Sequence, residues 1–159
     1  MIGDVTETAT RGASGARLWT PLAISILGFI GLGISSYLTY TSLTGVVPAC
    51  LPASDCGAVL ASPYARALGV PVSLFGIVLY AVLTGLGLSL LQERKKGRAL
   101  VALGVYAGAL AGTLYSAYLT YAQVFEIHGL CIWCLASAIV VAAILALSLI
   151  ILLSGPSAS

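Results

Sequence analysis

The chain has 159 residues, of which 60% are hydrophobic and 8% are charged, and its formal net charge is +2. An average soluble domain carries roughly 25% charged residues, and a water-soluble fold of this length cannot hide so much apolar surface. The composition therefore excludes an ordinary soluble domain and indicates a membrane protein.

Four uncharged apolar stretches predict four transmembrane helices. They cover residues 18–41, 70–91, 99–122 and 129–154. Each reaches the roughly 20 residues that a helix needs to cross a bilayer. The first stretch exceeds the roughly 7 to 15 apolar residues of a secretion-signal core, so we interpret it as a retained signal-anchor helix. The predicted fold class is an all-α membrane protein, a four-transmembrane-helix bundle.

Two short polar segments flank this bundle. Residues 1–16 are rich in Thr, Ala and Gly, and we expect them to form a disordered cytoplasmic tail. A single membrane domain is predicted at residues 17–154, followed by a tail at 155–159. We expect no soluble domain after the last helix.

Basic residues are concentrated on one side of the predicted membrane. Arg11 and Arg17 precede the first helix, and four of the five residues 94–98 are basic in the link between the second and third helices. Cytoplasmic loops carry an excess of Lys and Arg. Both termini and this link are therefore predicted to be cytoplasmic, and the loop at 42–69 is predicted to be extracytoplasmic.

All four cysteines fall on the predicted extracytoplasmic side, where disulfides form and persist. Cys131 and Cys134 form a Cys-x-x-Cys unit at a helix start, where unpaired N–H groups and the helix dipole favour a thiolate. Cys50 and Cys56 lie in a turn-rich loop that can swing. A mobile pair beside a fixed pair predicts a redox relay.

Two other uses of the cysteines remain open at this point. A structural zinc site usually pairs two short Cys-x-x-Cys units, whereas five residues separate Cys50 from Cys56. A non-enzymatic four-helix scaffold with two structural disulfides is the other alternative.

The absence of charged residues from the apolar spans bears on the electron acceptor. They contain no Asp, Glu, Lys or Arg, which argues against an ion or proton conduit. Electrons are therefore expected to leave through a lipid-soluble carrier. We expect no bound metal and no nucleic-acid partner.

The chain resembles the vitamin K epoxide reductase family, a four-helix membrane fold that reduces quinones with electrons from thioredoxin-like proteins. The resemblance covers nearly all of residues 18–150. It is carried, in chain order, by Cys50 and Cys56, Ser62-Pro63-Tyr64-Ala65-Arg66 through Gly69, Ser73-Leu74-Phe75-Gly76, Tyr118-Leu119, and Cys131-Ile132-Trp133-Cys134.

The resemblance implies a role for each cysteine pair. Cys131 and Cys134 would be the active-site pair, with Cys134 nearest the quinone, and Cys50 and Cys56 would be the shuttle pair. The implied quinone pocket contains Leu60, Ser62, Tyr64, Phe75 and Leu119.

The resemblance also implies partners and a location. They are a thioredoxin-like protein acting in trans, a membrane quinone as co-substrate, and the lipid bilayer of a bacterial inner membrane. Menaquinone, ubiquinone and phylloquinone are not distinguished.

Two departures from the family pattern bear on the substrate. The vertebrate enzyme has Asn before its Ser-x-Phe-Gly and Tyr four residues after its second active-site Cys, where this chain has Val72 and Ala138. Both missing side chains are suited to hydrogen-bonding a naphthoquinone oxygen. We therefore expect a quinone-linked thiol oxidase that supports disulfide formation in exported proteins, with a vitamin K epoxide or quinone reductase of another pathway as the alternative.

The loop between the first two helices is expected to close over the site. Residues 57–72 are largely apolar, so we predict a short helix across the outer mouth of the bundle. In this prediction Cys56 is exposed and receives electrons from the partner, and Cys50 passes them to Cys131.

Overall fold

The computed structural model describes residues 2–92 and 97–154, with side chains described from residue 18 onward. In this part of the chain the helices are α1 (Ile2–Thr44), α2 (Cys56–Ala61), α3 (Val72–Gln92), α4 (Arg98–Ala122) and α5 (Ile132–Leu153). Two short strands, β1 (Arg66–Ala67) and β2 (Val70–Pro71), precede α3. A 3-10 turn at Pro63–Ala65 follows α2, and a π-helical turn at Gln123–Ile127 follows α4.

Four helical segments are long and apolar enough to cross a membrane. They are Leu18–Thr44 of α1, α3, α4 together with its π-helical turn, and α5. Their lengths run from 21 to 30 residues, which covers the hydrocarbon core of a bilayer. The predicted four-helix membrane bundle is confirmed.

The four long helices pack as a closed ring. α1 packs against α3 and α5, and α4 packs against the same two helices. Glycines allow close approach between α1 and α3: a Cβ atom on Gly31 would overlap the Tyr80 ring, and one on Gly28 would overlap Thr84. Small residues at such contacts strengthen van der Waals packing where water provides no driving force. The centre of the ring is apolar, with Ile24, Leu83, Val105, Val141 and Ile144 buried.

The N-terminal part of α1 differs from the expected disordered tail. The backbone of residues 2–16 continues the helix. Extending a helix that already exists avoids the cost of a new nucleus, and no proline lies before Pro21 to interrupt it. The predicted tail at 155–159, and Arg94, Lys95 and Lys96 in the basic link, lie outside the described residues.

The loop between α1 and α3 carries the short helix that the sequence predicts. Asp55 caps α2 by accepting a hydrogen bond from the Ala58 N–H. The antiparallel pair of β1 and β2 was not predicted. Its turn contains Leu68 at φ 56° and Gly69 at φ 82°, and this left-handed conformation is most favourable for glycine.

The link between α4 and α5 is a compact turn. His128 has a left-handed backbone at φ 53°, and the N–H groups of His128 and Gly129 donate to the Gln123 carbonyl. The π-helical turn therefore ends there. Because Cys131 is extended and caps α5, that helix begins at Ile132 rather than at the predicted residue 129.

Candidate redox site

Cys131 and Cys134 occupy the first turn of α5 and face each other. Cys131 is the N-cap residue, and its sulfur accepts a hydrogen bond from the Cys134 backbone N–H at 3.3 Å. The two Sγ atoms lie 2.7 Å apart, and both residues are free thiols. The pair can therefore form a disulfide with little movement of the helix.

The environment of Cys131 favours its thiolate. The hydrogen bond from the Cys134 thiol is the largest cause that lowers the Cys131 pKa below its ordinary value. Burial opposes this shift, and hydrogen bonds from the Cys134 and Trp133 backbone N–H groups add to it. The lowered pKa increases the thiolate fraction of Cys131, and the thiolate is the form that attacks in disulfide exchange.

We expect Cys134→Ala to raise the Cys131 pKa, because it removes the hydrogen bond that contributes most to the shift. The thiolate of Cys131 would then form only at higher pH. The measurement is a titration of thiolate ultraviolet absorbance in protein that also carries Cys50→Ser and Cys56→Ser. Cys134→Ser is the matched control, since its hydroxyl still donates. Equal midpoints for the Ala and Ser variants would contradict this explanation.

Hydrogen bonds from neighbouring segments fix Cys131 and its surroundings. The Cys131 N–H donates to Gln123 Oε1 at 3.0 Å, and the Asp55 N–H donates to the Leu130 carbonyl at 3.0 Å. Cys131 is fully buried and Gln123 is 4% exposed. The α1–α3 loop and the π-helical turn therefore hold the start of α5 from two sides.

The segment before Cys50 is anchored to the same helix. Trp133 Nε1 donates to the Ala49 carbonyl at 2.8 Å, and the Ala49 N–H donates to the Tyr37 hydroxyl at 3.2 Å. The Tyr37 and Trp133 rings pack with their centroids 5.0 Å apart. These contacts bring the loop cysteines to the Cys-x-x-Cys unit.

Cys50 and Cys56 form a disulfide beside the free thiol pair. Cys56 is 1% exposed and shares a buried cluster with Val59 and Cys131, whereas Cys50 is half-buried at the edge of that cluster. The expectation that Cys56 is exposed to a partner is therefore wrong. Cys56 begins α2, and the inward face of α2 packs against the turn before α5, which the loop sequence does not reveal.

The observed disulfide also bears on the two alternatives. A zinc site would require Cys50 and Cys56 as thiolates, and neither sulfur is a thiolate in a disulfide. No cluster of three or more His, Cys, Asp or Glu side chains that could hold a metal occurs among the described residues. A scaffold with two structural disulfides would require a second bond, and the free Cys131 and Cys134 lie close enough to form it.

A cavity of about 330 Å³ lies beside Cys134 between the α1–α3 loop, α3, α4 and α5. All five pocket residues implied by the family resemblance line it: Leu60, Ser62, Tyr64, Phe75 and Leu119. Its volume falls in the usual range for small-molecule sites. The structure thus brings these residues together around one space, and their contact with a quinone stays a prediction.

The cavity wall differs from the family pattern in polarity. Val72 lines the wall, as does Ser137, which precedes Ala138 by one position. Ser137 lies three residues after Cys134, so both share a helix face. The Tyr80 hydroxyl donates to the Ser137 carbonyl at 2.7 Å and lies 2.9 Å from its Oγ.

Sequence reasoning did not identify Ser137, Tyr80 or Gln123 as residues of the wall. The three-residue spacing from Cys134 was the available signal for Ser137. Gln123 was recognisable as an amide near the end of an apolar span. Ser62, by contrast, was identified, and its hydroxyl donates to the Val59 carbonyl at 2.7 Å, which is a local turn contact.

Comparisons with known proteins identify relatives of this arrangement. The model of the vitamin K epoxide reductase family matches residues 22–149, a range that includes all four cysteines. The thiol-disulfide oxidoreductase LTO1 of Arabidopsis thaliana is 35% identical over 111 residues, or 65% of this chain. The matched region spans 29% of the length of that relative.

Proposed function

Because this chain belongs to the vitamin K epoxide reductase family, we propose that it is a membrane thiol:quinone oxidoreductase that supports disulfide formation in exported proteins. One observation carries the proposal: Cys134 lines the cavity, while its partner Cys131 lies in one buried cluster with Cys56 of the second pair. The Cys131–Cys134 pair thus lies next to the loop pair, which is the proposed electron donor, and next to a space for an acceptor. The name of the Arabidopsis relative supports the thiol-disulfide part of the proposal.

The proposed cycle moves two electrons and two protons. A reduced partner protein reduces the Cys50–Cys56 disulfide to two thiols and is itself oxidised to a disulfide. Cys56 then attacks Cys131 of an oxidised Cys131–Cys134 pair, and Cys50 resolves the mixed disulfide. The freed dithiol reduces the quinone to quinol and becomes a disulfide again.

The burial of the two loop cysteines supports an assignment of which one reacts with the partner protein and which one reacts with Cys131. This assignment reverses the one expected from sequence. Cys56 lies in the same buried cluster as Cys131, so it is placed for exchange with that sulfur. Cys50 is half-buried and is the more accessible sulfur of the loop disulfide. We therefore assign partner attack to Cys50 and internal transfer to Cys56.

The proposed reductant is a thioredoxin-like protein that binds in trans. Apolar side chains near Cys50 support a protein contact: Val46, Val47 and Leu51 are each more than half exposed. Thioredoxin-like proteins need access to one sulfur of their substrate disulfide, and the half-buried Cys50 offers it.

The proposed acceptor is a quinone rather than an epoxide. Val72 lines the cavity where a polar residue is found in the vertebrate enzyme, which favours simple quinone reduction. Menaquinone, ubiquinone and phylloquinone share a ring with two carbonyl oxygens, and the cavity volume suits that common part.

We place the cysteines on the extracytoplasmic side of a bacterial inner membrane, with both termini and the basic α3–α4 link in the cytoplasm. The α3–α4 link connects the helix ends opposite to the cysteines. We expect a membrane-impermeant maleimide to label cysteines in intact cells after mild reduction. The control is the same protein with all four cysteines replaced by Ser. Labelling only after the membrane is opened would contradict this orientation.

The direct test of the proposed function is quinol production by the purified protein. Stopped-flow absorbance would follow quinone loss with dithiothreitol or a reduced thioredoxin-like protein as donor. We expect turnover with both donors. If neither donor reduces any of the three quinones, and the disulfide resists mild reductants, the protein is a scaffold instead.

A further inference from the structure

The Gln123 carboxamide lies between the two halves of the redox site. Gln123 opens the π-helical turn after α4, is 4% exposed, and lines the same cavity as Cys134. Its Oε1 accepts the Cys131 N–H at 3.0 Å. One side chain therefore contacts the backbone of one redox cysteine and the space next to the other.

The orientation of this amide follows from hydrogen-bond chemistry. A backbone N–H group can only donate, so the Gln123 atom that faces Cys131 must be the oxygen, and the NH2 group faces away. No acceptor for this NH2 group occurs among the residues that the structure describes. Within the same described residues, every side-chain nitrogen or oxygen that is inaccessible to solvent has a hydrogen-bond partner. The NH2 group, which has no partner among them, is therefore accessible, and the space that Gln123 lines is the cavity.

Three hydroxyl groups of the cavity wall already donate to backbone carbonyls. Ser62 donates to the Val59 carbonyl at 2.7 Å, and Thr120 donates to the Ser116 carbonyl at 2.8 Å. Tyr80 donates to the Ser137 carbonyl. An amide donor in a largely apolar space is costly to leave without an acceptor. A ligand with a carbonyl oxygen would supply one.

We infer that the Gln123 NH2 group donates a hydrogen bond to a carbonyl oxygen of the quinone beside Cys134. This inference rests on the proposed function and names Gln123 as a residue that makes the site specific for a quinone. Negative charge develops on that oxygen during reduction, and a fixed N–H donor stabilises such charge. Gln123 thus provides, from the π-helical turn after α4, the polar contact that Val72 and Ala138 do not.

The test compares two probes with the same carbon skeleton. Menadione carries two carbonyl oxygens, and 2-methylnaphthalene carries none. Gln123→Met keeps the side-chain length and removes the donor. We expect it to raise the menadione Kd about 5- to 10-fold, the effect of one lost hydrogen bond, and to leave the 2-methylnaphthalene Kd unchanged. Equilibrium dialysis of the purified full chain provides both constants.

The control variant is Gln92→Met at the exposed end of α3, which should change neither constant. Equal weakening of both probes by Gln123→Met would show a structural role and overturn the inference, as would no change in either. If the variant does not fold, infrared spectra of menadione bound to the wild type decide. A hydrogen bond lowers one carbonyl stretching frequency, and two unshifted bands would overturn the inference.

The same experiment separates this inference from the proposed function. If the wild type neither binds nor reduces menadione, the proposed function fails. If the wild type reduces menadione but Gln123→Met binds both probes as the wild type does, only the role of Gln123 fails.

Discussion

Cys131→Ala and Cys134→Ala will each reduce quinone turnover to background, a loss on the order of 10³-fold or more. The reason is the 2.7 Å separation of the two sulfurs: each needs the other to become a disulfide when the quinone takes two electrons. Dithiothreitol should not restore activity, because Cys134 is the one cysteine of the described residues that lines the cavity and it needs Cys131 to form a disulfide. The measurement is stopped-flow absorbance of quinone with dithiothreitol as donor.

Cys50→Ala is the control for this experiment. A small thiol reaches the Cys131–Cys134 disulfide without the loop pair, so this variant should keep most of its turnover with dithiothreitol. It should lose turnover with a reduced thioredoxin-like protein. Turnover that persists in both Cys131→Ala and Cys134→Ala would remove the assignment of the active-site pair.

The membrane bundle was predictable because its cause is local in sequence. A run of about 20 apolar residues can satisfy its backbone only as a helix once it lies in a bilayer. The short helix α2 was also predictable, since the apolar loop residues needed to be buried. The pairing of β1 with β2 was not, because two-residue strands leave almost no periodic pattern.

The candidate site was predictable to a smaller extent. The Cys-x-x-Cys spacing indicated the thiol pair, and the family resemblance indicated residues that the structure places around one cavity. The exposure of Cys50 and Cys56 depends on how α2 packs against the turn before α5, so loop composition could not predict it. The Tyr80–Ser137 contact likewise joins positions 57 residues apart.

The last prediction concerns which loop cysteine exchanges with Cys131, and it is tested with two double variants. Cys50→Ser with Cys134→Ser leaves Cys56 and Cys131 as the two remaining cysteines. Cys56→Ser with Cys134→Ser leaves Cys50 and Cys131. We expect the Cys56–Cys131 disulfide to form at least about tenfold faster on mild oxidation, because Cys56 and Cys131 lie together in one buried cluster and Cys50 lies at its edge.

Mass spectrometry of non-reduced peptides would measure both disulfides over time. The two variants are matched, since each lacks Cys134 and one loop cysteine and keeps the same attacked sulfur. The sequence-based order requires Cys50 to reach Cys131 and leaves Cys56 for the partner. Faster formation of Cys50–Cys131 would restore that order. Faster formation of Cys56–Cys131 would mean that burial, rather than loop reach, sets the direction of the relay.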